Sequence, residues 1–93
     1  MIESSIQSRV LEYLNSIPGC IAENVSGNVR QSGRADINGC INGRCFKIEL
    51  KSRDTGYKPT KQQLLYLKRW EKAGAIVGVC YSIEDAKEIL GIK

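Results

Sequence analysis

Two adjacent residues near the middle of the chain, Asn42-Gly43, constrain its fold more than any other feature. Asparagine followed by glycine tolerates positive φ at two successive positions, which the tight turn of a two-residue β-hairpin requires. The flanking residues suit strands, with apolar and β-branched residues alternating with polar ones. Asn38-Gly39 is a competing turn, but Asn42-Gly43 leaves two strands of useful length, about 35–41 and 44–51. Counting outward from the turn gives the register. Ile41 faces Arg44, Cys40 faces Cys45, Asn38 faces Lys47, Ile37 faces Ile48 and Asp36 faces Glu49. Because strand side chains alternate, Ile37, Ile41, Phe46, Ile48 and Leu50 share one face, a candidate core. Asp36, Glu49 and Lys51 share the other.

The remaining elements follow from hydrophobic spacing and punctuation. Ile2, Ile6, Val10, Leu11, Tyr13, Leu14 and Ile17 recur at helical intervals, with Ser4 or Ser5 as the cap and Pro18-Gly19 as the stop. Residues 20–25 read as a short strand, followed by turns at Ser26-Gly27-Asn28 and Ser32-Gly33. The stretch from Ser52 to Pro59 is polar and reads as a loop. Thr60 caps a second long helix striped by Leu64, Leu67 and Trp70, with Leu65 beside them, and Ala73-Gly74 stops it. Residues 75–80 form a near-continuous apolar run, the pattern of a buried strand. Ser82 caps a last helix, Ile83 to Leu90, and Gly91 ends it. The predicted order is αβββαβα, an α/β fold in which a mixed sheet is flanked by helices. At 93 residues, 1–93 is read as a single domain with no room for a second core.

Charge narrows the partner class. The chain carries 14 Lys+Arg against 10 Asp+Glu, a net charge of +4. Residues 44–72 hold nine of the basic residues and three of the acidic ones, so this stretch is +6 and the rest −2. Such a patch favours a polyanion, most commonly nucleic acid; the alternative is a solvated, lysine-rich surface. No apolar run approaches the roughly 20 residues needed to cross a bilayer, so no membrane is expected. The opening Met1-Ile2-Glu3-Ser4-Ser5 has neither the basic nor the apolar region of a signal peptide, and the expected location is cytoplasmic, not secreted. Cys20, Cys40, Cys45 and Cys80 contain no C-x-x-C pair, and there is no histidine. They therefore read as buried free thiols in a reducing compartment rather than as zinc ligands.

Directly opposed side chains on paired strands lie about 4.5–5.5 Å apart at Cβ. Two carboxylates at that distance, Asp36 and Glu49, repel. A divalent cation between them would relieve the repulsion, and hard oxygen donors suit Mg2+ or Mn2+. Lys51 reaches the same site as a point charge. The other reading keeps both carboxylates solvated and paired with Lys47 and Lys51.

Gly33-Arg34-Ala35-Asp36 followed by Glu49-Leu50-Lys51 resembles the PD-(D/E)xK nuclease motif, with alanine at 35 where the motif's name has proline. The wider series is similar to the virus-type replication-repair nuclease (VRR-NUC) domain over about residues 1–85. It comprises Glu3 opening the first helix, Gly33-x-x-Asp36, Gly43-Arg44, Ile48-Glu49-Leu50-Lys51, Thr60-Lys61-Gln62-Gln63 and Ala73-Gly74-Ala75 before an apolar strand. The resemblance implies a restriction-endonuclease-like αβββαβ core. It also implies metal ligation by Asp36, Glu49 and the Leu50 backbone carbonyl, with Lys51 orienting or activating the attacking water. Glu3 would be a further acidic site residue, and Gln63 would position the metal's water or Lys51. The implied activity is Mg2+- or Mn2+-dependent, structure-selective DNA cleavage, as in Holliday-junction resolvases. Such a cation polarises a phosphoryl oxygen and lowers the pKa of its water.

Arg30, Arg34, Arg53, Lys58 and Lys61 flank the motif and are candidate phosphate contacts, which position nucleic acid without reading sequence; each is equally readable as a solubilising charge. Trp70, Tyr66 and Tyr81 read as packing residues, whereas Tyr57 has the alternative of stacking on a base. A branched substrate and a small domain suggest a homodimer with two sites. Two alternatives stand beside the nuclease: a non-catalytic nucleic-acid-binding module with the same fold, and a protein-interaction domain with an acidic partner.

Overall fold

The structure, a computed structural model, describes residues 3–24, 37–51 and 59–92, and of residues 3–5 the backbone alone. In chain order the elements are α1 (Glu3–Asn15), β1 (Cys20–Asn24), β2 (Ile37–Ile41), β3 (Arg44–Leu50), α2 (Lys61–Lys72), β4 (Ile76–Cys80) and α3 (Ile83–Leu90). The expected order αβββαβα is the observed one. Asn42 and Gly43 both adopt positive φ, 50° and 86°, the backbone of a type I′ turn. The register counted from that turn is also observed, from Ile41 opposite Arg44 to Ile37 opposite Ile48. Residues 35 and 36, the first two of the expected strand, lie outside the described residues.

The sheet runs β1-β2-β3-β4, antiparallel except for the parallel β3–β4 pair. Register and alternation sort its side chains into two faces. One face carries Ala22, Ile37, Ile41, Phe46, Ile48, Leu50 and Cys80, all buried. Ile6, Val10 and Leu14 of α1 and Ala86 of α3 complete this core. The other face carries Asn38, Cys40, Cys45, Lys47, Glu49 and Lys51, and α2 packs over its β3–β4 half. Among the described residues no helix is long and apolar enough to cross a membrane.

The local signals for caps were mostly sufficient. The Thr60 hydroxyl accepts from the Gln63 amide, Ser82 accepts from Asp85, and Gly91 closes α3 with φ of 69°. Ser4 and Ser5 are the exception, since α1 already includes Glu3 and both serines lie inside its first turn. Side chains of α1 tie the edge strand to the helix: the Gln7 amide donates to Asn24 Oδ1 at 2.9 Å. The Asn15 amide donates to the Ala22 carbonyl at 3.1 Å and accepts from the Ala22 N–H at 2.9 Å.

Three expectations about burial are corrected. Leu64 and Leu65 are about half exposed, and Leu67 alone of the α2 leucines is buried. Polar contacts from Gln63 and Trp70 to β3, described below, set the helix's rotation and carry Leu64 and Leu65 off the sheet. Trp70 is half-buried and lies outside the core cluster. The cysteines are free as expected, but Cys45 is exposed and only Cys80 is fully buried. Cys45 stands on the sheet face beyond the cover of α2.

The competing Asn38-Gly39 turn signal has a packing explanation. Gly39 lies opposite Phe46 in the β2–β3 ladder, and a Cβ there would collide with the Phe46 ring and the Ile21 carbonyl. Glycine marks this close approach, not a chain reversal. Gly39→Ala is expected to lower stability by about 1–3 kcal/mol, the usual cost of overpacking, read as a lower urea midpoint at unchanged slope. An unchanged midpoint would show that Phe46 relaxes freely.

Cys80 supplies a second prediction. Burial pushes its thiol up to about 11 from the ordinary 9.0, and its Sγ donates to the Ser82 carbonyl at 2.8 Å. Folding therefore favours the protonated thiol. The resulting stability is fully present below pH 9.0 and is lost as pH rises toward 11. Near pH 8 a thiol-exchange reagent should label Cys45 rapidly and Cys80 only after denaturant is added. Labelling of Cys80 at the rate of Cys45 in native protein would contradict this.

Candidate active site

The alternation of β3 that sends Phe46, Ile48 and Leu50 into the core sends Lys47, Glu49 and Lys51 toward α2. Glu49 is 1% exposed and Lys47 8%, the two charged residues buried among those described. A carboxylate taken so far out of water needs compensating partners. Glu49 has them on two sides. The Gln63 side-chain amide donates to Glu49 Oε1 at 3.1 Å. Lys51 Nζ lies 3.9 Å from the same oxygen, a charge–charge contact rather than a hydrogen bond. The first turn of α2 adds the positive end of a helix dipole.

Gln63 does two jobs at once. The Thr60 backbone N–H donates to Gln63 Oε1 at 2.8 Å, while the Thr60 hydroxyl accepts from the Gln63 backbone N–H at 3.1 Å. This reciprocal capping box fixes the start of α2. It also fixes the amide's orientation. The Thr60 N–H can only donate, so the amide oxygen must face it and the NH2 group is left for Glu49. One glutamine thus links the helix start to the central strand.

The Leu50 backbone lies between the two charged side chains. The Lys51 N–H donates to the Cys80 carbonyl at 3.0 Å, toward β4. Across a trans peptide the Leu50 carbonyl points the opposite way, toward the β2 side. Two turns beyond Gln63 on α2, Trp70 covers Lys47, whose Nζ lies 4.0 Å from the ring centroid. Tyr66 adjoins, its ring centroid 6.1 Å from that of Trp70.

Of the residues singled out in the sequence, Glu49, Lys51 and Gln63 converge, with the Leu50 carbonyl beside them. Lys61 is exposed, and two residues on a helix turn it about 200° from Gln63, away from Glu49. Asp36, Arg30, Arg34, Arg53, Lys58 and Tyr57 lie outside the described residues, and so does the side chain of Glu3. The Lys47–Trp70 pair was missed. The available signal was that Lys47 shares a strand face with Glu49 while Trp70 follows Gln63 by seven residues, two helical turns.

These features define an α/β domain with an acidic and a basic residue of one central strand gathered under a helix start. No protein-family model matches the chain, and no curated protein matches it. A solved structure described as a VRR_NUC domain superimposes with a TM-score of 0.73 at 24% sequence identity, covering 96% of this chain and 94% of that one. The chain therefore has the fold of a VRR_NUC domain over nearly its whole length.

The double role of Gln63 can be separated experimentally. Gln63→Glu retains an oxygen for the Thr60 N–H but removes the donor to Glu49 and adds a second carboxylate. Gln63→Ala removes both. Loss of a hydrogen bond to a buried charge predicts a cost of about 1–3 kcal/mol for each, with Gln63→Glu at least as destabilised as Gln63→Ala in urea unfolding. Wild-type stability in Gln63→Glu would mean that the cap alone matters.

Proposed function

We propose that the chain is a metal-dependent nuclease of the VRR-NUC type that hydrolyses phosphodiester bonds in structured DNA. The observation that carries this reading is the buried Glu49 carboxylate, held by Gln63 and Lys51 on the central strand of a VRR_NUC-like fold. Burial at this cost has a ready explanation if the carboxylate serves chemistry.

The donors suit a hard divalent cation, being a carboxylate and a backbone carbonyl on adjacent residues. Among the described residues no three His, Cys, Asp or Glu side chains cluster to hold a metal. In this reading Asp36, which lies outside the described residues, is the further carboxylate of the set. Extending the β2–β3 ladder by one residue beyond Ile37 and Ile48 would bring Asp36 opposite Glu49. Asp36, Glu49 and the Leu50 carbonyl would hold Mg2+ or Mn2+, which when bound polarises a phosphoryl oxygen and lowers the pKa of water. Gln63 fixes the orientation of the Glu49 carboxylate. Lys51 neutralises charge developing on the phosphate and orients the attacking water. By the VRR-NUC resemblance, Glu3 would be a further acidic residue of the site. Arg30, Arg34, Arg53 and Lys58 contact phosphates, and Lys61 contributes from the outer side of α2. A two-fold pair of copies would present two such sites to a branched substrate.

The test is cleavage of four-way junction, flap, duplex and single-stranded DNAs with Mg2+, with Mn2+ and with EDTA. Wild type is expected to nick only with metal. Asp36→Ala and Lys51→Met are expected to lose roughly 100-fold or more in rate. Binding without metal-dependent nicking would favour the non-catalytic nucleic-acid-binding module. Equal nicking by wild type and Asp36→Ala would remove this site from the chemistry.

A further inference from the structure

Tyr66, Arg69, Trp70 and Ala73 line an open pocket of about 280 Å3 on one flank of α2. Its position is set by the helix. Gln63, Tyr66 and Trp70 follow at three and seven residues, so the pocket continues the stripe that begins at Glu49's amide partner. Seven residues place it about 10 Å along the helix from Gln63. Lys47 is buried against the Trp70 ring and backs the indole from the sheet side. Tyr66 and Trp70 are both half-buried, with rings inclined at 42°. Arg69 is exposed at the rim.

Two aromatic rings backed and rimmed by cations suit a flat, apolar-faced group carrying negative charge beside it. In a polyanion that group is a nucleobase with its phosphate. The surrounding charge agrees, since residues 44–72 carry the chain's positive excess. A base inside a duplex already has both faces stacked, so only an unpaired or extruded base can offer a face to these rings. We propose that this pocket accepts one unpaired nucleobase of the substrate strand, a short distance from the Glu49 site. The proposal rests on the nuclease reading and refines its substrate class. The favoured DNA has an unpaired nucleotide next to the bond that is cut, as flaps and bulges do.

Trp70 is the chain's one tryptophan, so its fluorescence reports on the pocket directly. The full-length protein is titrated in EDTA with three oligonucleotides of equal length: an oligothymidine, a duplex, and an abasic strand that keeps the phosphates but lacks the bases. The expected result is strong quenching by oligothymidine and little by the duplex or the abasic strand. Trp70→Leu and Arg69→Ala, checked for fold by circular dichroism, should bind labelled oligothymidine roughly fivefold to a hundredfold more weakly. Their loss on the duplex should be much smaller. Equal quenching by oligothymidine and the abasic strand, or unchanged affinity in a folded Trp70→Leu, overturns the proposal. Because no metal is present, this outcome is independent of whether Asp36→Ala abolishes cleavage.

Discussion

Glu49 is the point on which the arrangement turns. A carboxylate on the central strand is almost fully withdrawn from water, and withdrawing a charge costs several kcal/mol unless partners replace the solvent. Here the replacement comes from an amide, an ammonium group and a helix start. That requirement reaches outward. To deliver the amide, α2 must begin at Thr60 and present Gln63 to the sheet. That rotation brings Tyr66, Leu67 and Trp70 inward and leaves Leu64 and Leu65 in solvent. The Gln63 amide contact and the inward packing of Leu67 and Trp70 agree on how the helix lies.

Much of this was legible in the sequence. Asn42-Gly43 set a register, and the register alone predicted which side chains face the core and which share the opposite face. Thr60, Ser82 and Gly91 announced their caps because capping is local chemistry. The misreadings share one cause. Whether Leu65, Trp70 or Cys45 is buried depends on which part of the sheet a helix from elsewhere covers, and no window of sequence contains that information. Gly39 was ambiguous for a related reason, since the residue that requires it, Phe46, lies across a strand. In the candidate site, strand parity placed Glu49 and Lys51 on one face, whereas Gln63 came only from the resemblance to the VRR-NUC domain. Lys47 entered only as a possible partner for the carboxylates, because the ring that covers it, Trp70, is 23 positions away in sequence.

The two faces of the sheet are treated unequally. One is closed by α1 and α3 over a continuous apolar cluster. Among the described residues the other is covered over β3 and β4, and Ile21, Asn38, Cys40 and Lys47 border an open trough. The apolar core lies on the first face, and the buried charges Lys47 and Glu49 lie on the second. Lys47 belongs to the trough and also supports Trp70, which joins the open sheet surface to the flank of α2.

The amide of Asn15 has an effect beyond anchoring β1. A sheet's outermost strand ordinarily offers a row of unused donors and acceptors to any passing extended chain. At Ala22 that offer is already taken by a side chain, and an amide side chain does not propagate a strand ladder. The Cys20 N–H is likewise engaged, by the Ile17 carbonyl. On this margin the domain carries its own stopper against fibrillar stacking, built from one asparagine at the end of a helix.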